Sequence, residues 1–289
     1  MTFSHRWTGW NDAVFDLTPG GGGTVWLNTD GVVGLGVMEA DQFVRKTPAL
    51  SGQRLTGVRE TARDVFWPLV IDGSDGSWRE LQEAFRRTLR PEKEGVWRVT
   101  ADDGTYRELT CRYVPTPDTY RVDPSFVGVE DAVVELVADD PWWYGPEVSE
   151  SFQPVGDVLP FFAVTADRVF NLMSSSTVAT ATVSNPGDVD AWPKYTITGP
   201  VSEFSATIAG GVVSSVTEVV AGATLVIDTD PTVQRAVLTV SGVDSNVTRD
   251  LVEVDWRPVP AGDSVSLDVT LIGTGSLLVS VSPRYYRAW

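Results

Sequence analysis

LRPEKEGVWRVTADDGTYRELTCRYV, residues 89–114, contains the end of a helix, two strands and the turn that joins them. Gly95–Thr100 and Tyr106–Val114 have strand composition, and the Asp-Gly pair at 103–104 is typical of a tight hairpin turn. Apolar and polar residues alternate along the second strand, and Cys111 falls on the apolar side. The stretch therefore predicts a β-hairpin with one buried face, in which Cys111 is a small buried hydrophobe.

A helix is predicted immediately before this hairpin, at about 77–90. Ser77 and Glu80 have the spacing of a capping box, apolar residues recur every three or four positions, and Pro91 ends the segment. Charged residues fill the other side, so we expect an amphipathic helix that covers a sheet. The other strands predicted in this half are Thr24–Asn28, Val65–Ile71 and Val129–Val137.

The rest of the chain predicts a second, all-β domain. Two prolines and a glycine in 139–146 interrupt the strand pattern. Beyond residue 176, alternating segments such as 265–271 and turns at about 8–12-residue spacing predict a sandwich of roughly eight strands. We expect a mainly β fold with two domains, 1–145 and 146–289, and a linker at about 141–160; a length of 289 residues fits two domains.

Composition narrows the function. The chain carries 22 basic and 39 acidic side chains, a net charge of −17. Such an excess repels nucleic-acid phosphates at long range, so we expect no specific nucleic-acid binding. No run approaches the ~18 apolar residues of a membrane-spanning helix, which predicts no membrane insertion. The N-terminus lacks the apolar segment of a signal peptide, which predicts synthesis in the cytoplasm without secretion.

The chain lacks most of the residue combinations that enzymes use for catalysis. The one cysteine and one histidine, Cys111 and His5, leave no disulfide, no multi-thiolate metal site and little scope for a histidine relay. We therefore predict no catalytic residue, no metal site and no cofactor. Four acidic pairs keep a carboxylate-dependent glycoside hydrolase, and in the last two pairs a calcium ion, as weaker alternatives: Asp102/Asp103, Asp139/Asp140, Asp188/Asp190 and Asp228/Asp230.

Aromatic residues suggest two further surfaces. Trp142, Trp143 and Tyr144 can either fill a core or form a platform that stacks on sugars, which keeps a carbohydrate-binding module open as an alternative function. The C-terminus, PRYYRAW, is rich in residue types favoured at interfaces. We expect this end to dock on its own chain or on a neighbour, and the docking candidates are Arg284, Tyr285, Tyr286 and Trp289.

Three passages, taken in order, resemble the distal tail proteins of long-tailed, non-contractile bacteriophages. The first runs from Gly31–Gly36 through 48–63 into the strand VFWPLV at 65–70, similar to the long loop or hairpin that leads into a core strand of the family. The second is the helix with 89–114. The third is DDPWWYG at 139–145, followed by VSNPGDVDAWPKYTITGP at 183–200. Together these passages cover roughly half of the chain.

The resemblance implies an N-terminal β-sandwich with one helix and a projecting hairpin, and a C-terminal sandwich similar to galectins. It implies a structural, non-enzymatic virion protein at the distal end of the phage tail. Six copies are expected to close into a ring that contacts the tail tube protein on one side and the tail-tip hub protein on the other. Receptor-binding proteins or host surface glycans are implied as further partners, although no galectin sugar-binding motif can be aligned.

Residues 34–63 mix apolar and charged side chains, which is a poor composition for a core strand. It suits an arm between subunits, with apolar anchors and a charged rim, and the alternative is an excursion that folds back on its own domain. The ring-interface candidates in this stretch are Met38, Phe43, Pro48, Leu50, Arg54 and Arg63.

Overall fold

The computed structural model describes residues 3–20, 22–48, 51–117, 122–152 and 176–289. They form two compact units. Met1–Gly145 and the last five residues, Tyr285–Trp289, make the first unit, and Pro146–Arg284 make the second. The chain thus returns to its first unit at the C-terminus. Leu50 and the end of the predicted linker, 153–160, lie outside the described residues.

The first unit consists of strands with two helices between them. In chain order these are β1 (Ser4–Thr8), β2 (Val14–Asp16), β3 (Val25–Leu27), β4 (Ala40–Arg45), β5 (Arg54–Glu60), β6 (Arg63–Asp72), α1 (Trp78–Arg86), β7 (Glu94–Thr100), β8 (Tyr106–Val114), α2 (Pro124–Val127), β9 (Val129–Ala138) and β10 (Trp143–Tyr144). The main sheet runs β2-β1-β7-β8-β9-β6-β3, and β10 pairs with β8. Strands β4 and β5 form a separate two-stranded sheet.

The main sheet curls until its two ends meet. Trp7 on β1 and Trp67 on β6 are separated by three strands, about 19 Å in a flat sheet with strands ~4.8 Å apart. Their rings nevertheless make an edge-to-face contact with centroids 5.1 Å apart. At the sheet edges, the backbone N–H of Leu27 donates to the carbonyl of Leu17 at 2.9 Å. The curled sheet packs its two halves face to face, as the layers of a sandwich do.

Helix α1 differs from its prediction at both ends. It covers Trp78–Arg86, shorter than the predicted 77–90, and buries Phe85 completely. The predicted capping box is wrong, because Ser77 has a φ of −89° and a ψ of 1° and makes no side-chain cap. Its hydroxyl donates instead to Asp75 at 2.5 Å. A second helix, the single turn α2, was not predicted; Asp123 caps it by accepting the Ser125 N–H at 2.9 Å.

The second unit is a sandwich of two antiparallel sheets. Its elements are β11 (Val148–Phe152), β12 (Ser176–Ser184), β13 (Pro193–Thr198), β14 (Val201–Ile208), β15 (Gly211–Ser215), β16 (Thr224–Asp228), β17 (Arg235–Val240), β18 (Val243–Asn246), a 3-10 turn (Thr248–Asp250), β19 (Leu251–Val254), β20 (Ser264–Gly273) and β21 (Ser276–Val281); β22 (Arg284–Tyr285) follows at the boundary between the units. The sheet orders are β11-β21-β13-β16-β17-β18 and β12-β20-β14-β15-β19.

Both sheets of the second unit contribute to one apolar core. Tyr195 on β13 and Phe204 on β14 lie in different sheets, and their ring centroids are 5.6 Å apart. The two sheets hold six and five strands, more than the roughly eight strands predicted for the whole domain. The mainly β fold class is confirmed. In the part of the chain that the structure describes, no helix is long and apolar enough to span a membrane.

Candidate assembly surfaces

Strands β4 and β5 form a hairpin, here called the arm, that stands apart from the main sheet. Every residue in these strands is exposed except Gly57, which is half-buried. An isolated two-stranded hairpin is marginally stable in water, and this one carries several large apolar side chains into solvent. Such a surface is typical of a segment that is completed by a partner.

The two faces of the arm differ in chemistry. The pairing places Gln42 opposite Val58 and, beyond a bulge, Val44 opposite Leu55. Val44, Leu55 and Val58 are 37%, 60% and 49% exposed and make one face apolar. Successive strand residues point to opposite sides, so Phe43 lies on the other face, where the Arg59 guanidinium lies 6.0 Å from its ring centroid. The arm is therefore apolar on one face and largely basic on the other.

The predicted ring-interface residues fall into two environments. Phe43, Pro48 and Arg54 are exposed, on the arm or next to it. Met38 is only 8% exposed and Arg63 only 2%, so both lie inside their own unit. We therefore assign these two residues to the packing of the first unit, not to the surface of the arm. Leu50 lies outside the described residues.

Arg63 ties three loops together through backbone carbonyls. Its Nε donates to Pro141 O at 2.7 Å, and Nη2 donates to Tyr286 O at 2.9 Å. Its Nη1 donates to Gly34 O at 2.9 Å and also to Gly36 O. Burial lowers the pKa of Arg63 to about 10, and the guanidinium stays charged at neutral pH. No local pattern predicts this role, since in the sequence Arg63 is only an arginine at the start of an apolar strand.

The C-terminal residues pack against the first unit. The Trp289 ring stacks on Phe3 with centroids 4.9 Å apart, and the Arg107 guanidinium lies 3.6 Å from the centroid of the Tyr285 ring. The Tyr286 ring meets Trp142 edge-on at 5.2 Å. Arg284 belongs to the second unit, where it forms an ion pair with Asp230. The four docking candidates are thus divided between the two units.

The predicted sugar-stacking group does not form a platform. Trp143 is completely buried, and its indole N–H donates to Gly34 O at 3.1 Å, so the prediction is wrong for this residue. Trp142 is half-buried against Tyr286, and the Tyr144 hydroxyl donates to Asp140 at 2.6 Å. Core filling, the other interpretation of this segment, accounts for Trp143.

The acidic pairs hold turns and ion pairs. Asp103 accepts the backbone N–H of Thr105 at 2.9 Å, and Asp139 pairs with Arg112 at 2.6 Å. Hydrogen bonds from Thr105 lower the pKa of Asp103, and the hydrogen bond from Arg112 lowers that of Asp139. A general acid for glycoside cleavage needs a raised carboxyl pKa, and these carboxyls are shifted the other way. Among the described residues, no group of three or more His, Cys, Asp or Glu side chains is placed to hold a metal ion.

One surface was missed in the sequence. On the outer side of the main sheet, the registers bring together Trp26 on β3, Phe66, Pro68 and Val70 on β6, and Val133 on β9. We call these five residues the outer stripe. The sequence does contain a signal for it. VFWPLVI at 65–71 is apolar at every position, whereas a strand with one solvent-exposed face alternates apolar and polar residues.

No protein-family profile and no curated protein matches the chain. Solved structures do. The Dit protein (gp 19.1) of phage SPP1, a paradigm of the hub adsorption apparatus in phages that infect Gram-positive bacteria, superposes with a TM-score of 0.62 at 16% identity, over 98% of this chain and 99% of that chain. A chain of the phage P2 baseplate in its activated conformation with Ca gives 0.59 at 11% identity, over 98% of both chains.

A chain of the phage p2 baseplate in its activated conformation with Sr gives a TM-score of 0.53 at 11% identity, over 93% of this chain and 98% of that chain. Identities this low are informative about fold alone. The superpositions nevertheless include both units in the same chain order. A match to one widespread type of sandwich domain would cover only one of them. The chain therefore has the fold of the phage distal tail and baseplate proteins, as the order of its sequence passages predicts.

Proposed function

We propose that this chain is a structural protein of a phage tail tip, and that six copies close into a ring joining the tail tube to the tail-tip hub and the host-attachment apparatus. The observation that carries the proposal is the superposition on SPP1 Dit over 98% of this chain and 99% of that chain. The match covers both units of the chain, so the likeness is not limited to a single sandwich.

The arm supports self-association. Its apolar face holds Val44, Leu55 and Val58 in solvent, and no part of its own main sheet pairs with it. A second copy that covered this face would remove apolar surface from water and add support that the hairpin lacks alone.

The charge of the chain fits a ring around a DNA passage. At −17 per copy, such a ring repels the phosphates of DNA and does not retain it. In this proposal the protein acts in the virion, at the distal end of the tail, and performs no reaction. Its partners are the tail tube protein, the hub protein and the receptor-binding proteins.

Carbohydrate binding is the less favoured alternative. The three aromatic residues that suggested it do not form an exposed platform, because Trp143 is completely buried. The carboxyl groups that suggested hydrolysis serve turns and ion pairs, as Asp103 and Asp139 do.

The test is the solution mass of the purified chain by light scattering or sedimentation. We expect a species of about six times 31.4 kDa. The double variant Leu55→Asp and Val58→Asp, which charges the apolar face of the arm, should shift this species to monomer. Val243→Asp is the matched control, because Val243 is an exposed valine on β18 in the second unit. A chain that stays monomeric at every concentration and salt would contradict the ring.

A further inference from the structure

The arm joins the rest of the first unit through a base of two short segments. Residues 33–39 lead into β4, and residues 61–63 lead from β5 into β6. The two segments are tied to each other, because the Thr61 N–H donates to Glu39 O at 3.1 Å. Among the described residues, neither strand of the arm pairs with the main sheet. The direction in which the arm projects is therefore set at its base.

The segment that leads into the arm has little stiffness of its own. It contains Gly34 and Gly36, and glycine has more backbone freedom to lose on folding than any other residue. Gly34 has a φ of +109°, and a Cβ added there would lie 2.8 Å from Cγ2 of Val65, so the position needs a glycine. A backbone with this much freedom keeps a single path only when other groups hold it.

Hydrogen bonds to three consecutive carbonyls hold that path. Nη1 of Arg63 donates to Gly34 O at 2.9 Å and also to Gly36 O. Between these two glycines, Leu35 O accepts the backbone N–H of Ala288 at 2.9 Å. The base of the arm is thus held partly by its own unit's β6 and partly by a segment that lies more than two hundred residues further along the chain.

We call residues 285–289, which supply this donor, the brace. The brace reaches the base of the arm at a second point, since Nη2 of Arg63 donates to Tyr286 O at 2.9 Å. The same guanidinium therefore binds the segment that leads into the arm and the brace. Because the Arg63 fork is planar and fixed, these acceptors have to keep their relative positions for all of the bonds to form.

The side chains of the brace attach it to the strands of the first unit. Ala288 is only 3% exposed and belongs to the core of this unit. The Trp289 ring stacks on Phe3, next to β1. The Tyr285 ring lies against the guanidinium of Arg107 on β8. The brace thus connects β1 and β8 to the base of the arm.

We propose that the brace positions the arm for self-association. With the brace docked, the carbonyls of the base are fixed and the arm projects in one direction. With the brace released, the bonds to Leu35 O and from Arg63 to Tyr286 O are lost, and the arm swings about its glycine-containing segment. A swinging arm has to be ordered in every contact that it makes, which costs affinity. This inference rests on the proposed self-association and names the segment that prepares the arm for it.

A distance measurement in the monomer tests the brace directly. Spin labels are attached at Gln42→Cys on the arm and at Asp131→Cys on β9, which are both exposed positions. The native Cys111 is buried, and burial raises the pKa of its thiol, so it stays unlabelled. The labelled chain also carries Leu55→Asp and Val58→Asp, so that each measured distance lies within one copy.

We expect a narrow distance distribution in the chain that retains its brace, and at least about a twofold broadening after truncation behind Arg284. Trp289→Ala removes the stack on Phe3 and leaves the base itself unaltered, so it should broaden the distribution as well. Val99→Ala is the matched control. Val99 is buried on β7 and takes no part in the hydrogen bonds of the base, so this variant should destabilise the unit without broadening the distribution.

Sedimentation of the same variants with the native arm measures assembly. Truncation behind Arg284 should lower the ring-sized fraction by about tenfold, whereas Val99→Ala should retain it. Circular dichroism confirms that each variant is folded, and Trp289→Ala serves if the truncated chain does not fold.

The outcomes separate this inference from the proposed function. A distribution that stays narrow in the folded truncated chain or in Trp289→Ala would overturn the brace, whether or not a ring forms. A truncated chain that assembles as well as the full chain would overturn its role in assembly. If the full chain forms no ring, the proposed function fails, and the distances in the monomer still decide whether the brace positions the arm.

Discussion

Arg63 is a buried cation whose hydrogen bonds go to backbone carbonyls. The acceptors lie on the loops at Gly34–Gly36 and Pro141 and on Tyr286, so one side chain fixes segments far apart in sequence. A lysine carries the same charge as a point and cannot reproduce the planar fork that reaches these carbonyls.

Replacing Arg63 by methionine should destabilise the protein severely. The variant leaves several buried carbonyls without donors, each worth roughly 1–3 kcal/mol, so we expect a loss of about 3–5 kcal/mol in the free energy of unfolding. Urea denaturation measures this difference in the free energy of unfolding. Arg54→Met is the control, since an exposed arginine on the arm should change stability by less than ~0.5 kcal/mol in the monomer. A small effect at Arg63 would show that water or other donors replace the guanidinium.

Because the His5 ring is buried, we expect the protein to lose stability in mild acid. Its ring is buried beside Trp97, and burial lowers its pKa from 6.5 to about 4, an effect that Asp16 partly offsets. The unfolded chain therefore binds the proton first as the pH falls. The contribution of His5 is unchanged above about pH 6.5, and stability is lost progressively between pH 6.5 and about 4.

The variant His5→Gln removes this titration. Between pH 7 and 5 the wild type should lose about 2 kcal/mol more unfolding free energy than the variant. Denaturation at both pH values provides the comparison. Equal losses in the two proteins would show that His5 is not held neutral by burial.

At the scale of the elements, local patterns predicted what local forces determine. The hairpin of β7 and β8 matches its prediction closely, because an Asp-Gly turn and strict alternation specify a strand pair without distant contacts. The N-terminus of α1 does not match, because the Ser77 hydroxyl bonds to Asp75, two residues away, and not to the helix backbone.

Truncation after Arg284 should weaken the first unit. It removes the stack of Trp289 on Phe3, the Arg107–Tyr285 contact and the hydrogen bond from the Ala288 N–H to Leu35 O at 2.9 Å. Together these contacts suggest a loss of about 3–4 kcal/mol. The measurement is the rate of amide hydrogen exchange in β1 and β7, which should increase when the first unit is less stable. Arg287→Ala, a change to an exposed side chain in the same segment, should leave exchange unchanged, and unchanged exchange after truncation would contradict the prediction.

At the scale of the whole molecule, assembly should increase with salt. Copies of −17 repel one another over a Debye length of roughly 30 Å at 0.01 M salt, and over only about 8 Å at 0.15 M. Burial of the arm's apolar face does not depend on charge, so it persists once this repulsion is screened.

Sedimentation at about 10, 150 and 500 mM salt tests this expectation, because the screening length falls several-fold over this range. We expect the assembled fraction to rise from the lowest salt concentration and to level off above about 150 mM. The Leu55→Asp and Val58→Asp variant should stay monomeric at all three concentrations. An assembled fraction that falls steadily from the lowest salt would show that attraction between copies outweighs their net repulsion.

The sequence by itself determined the mainly β class, the position of the β7–β8 hairpin and the burial of Cys111, because alternation and turn chemistry act between near neighbours. Tertiary structure alone decided that Trp143 is buried, that Arg63 joins three loops and that Trp289 returns to Phe3. These contacts join residues far apart in the sequence, and no local pattern encodes them. The outer stripe is an intermediate case. The sequence shows the apolar run at 65–71, but only the sheet register shows which of its side chains face outward.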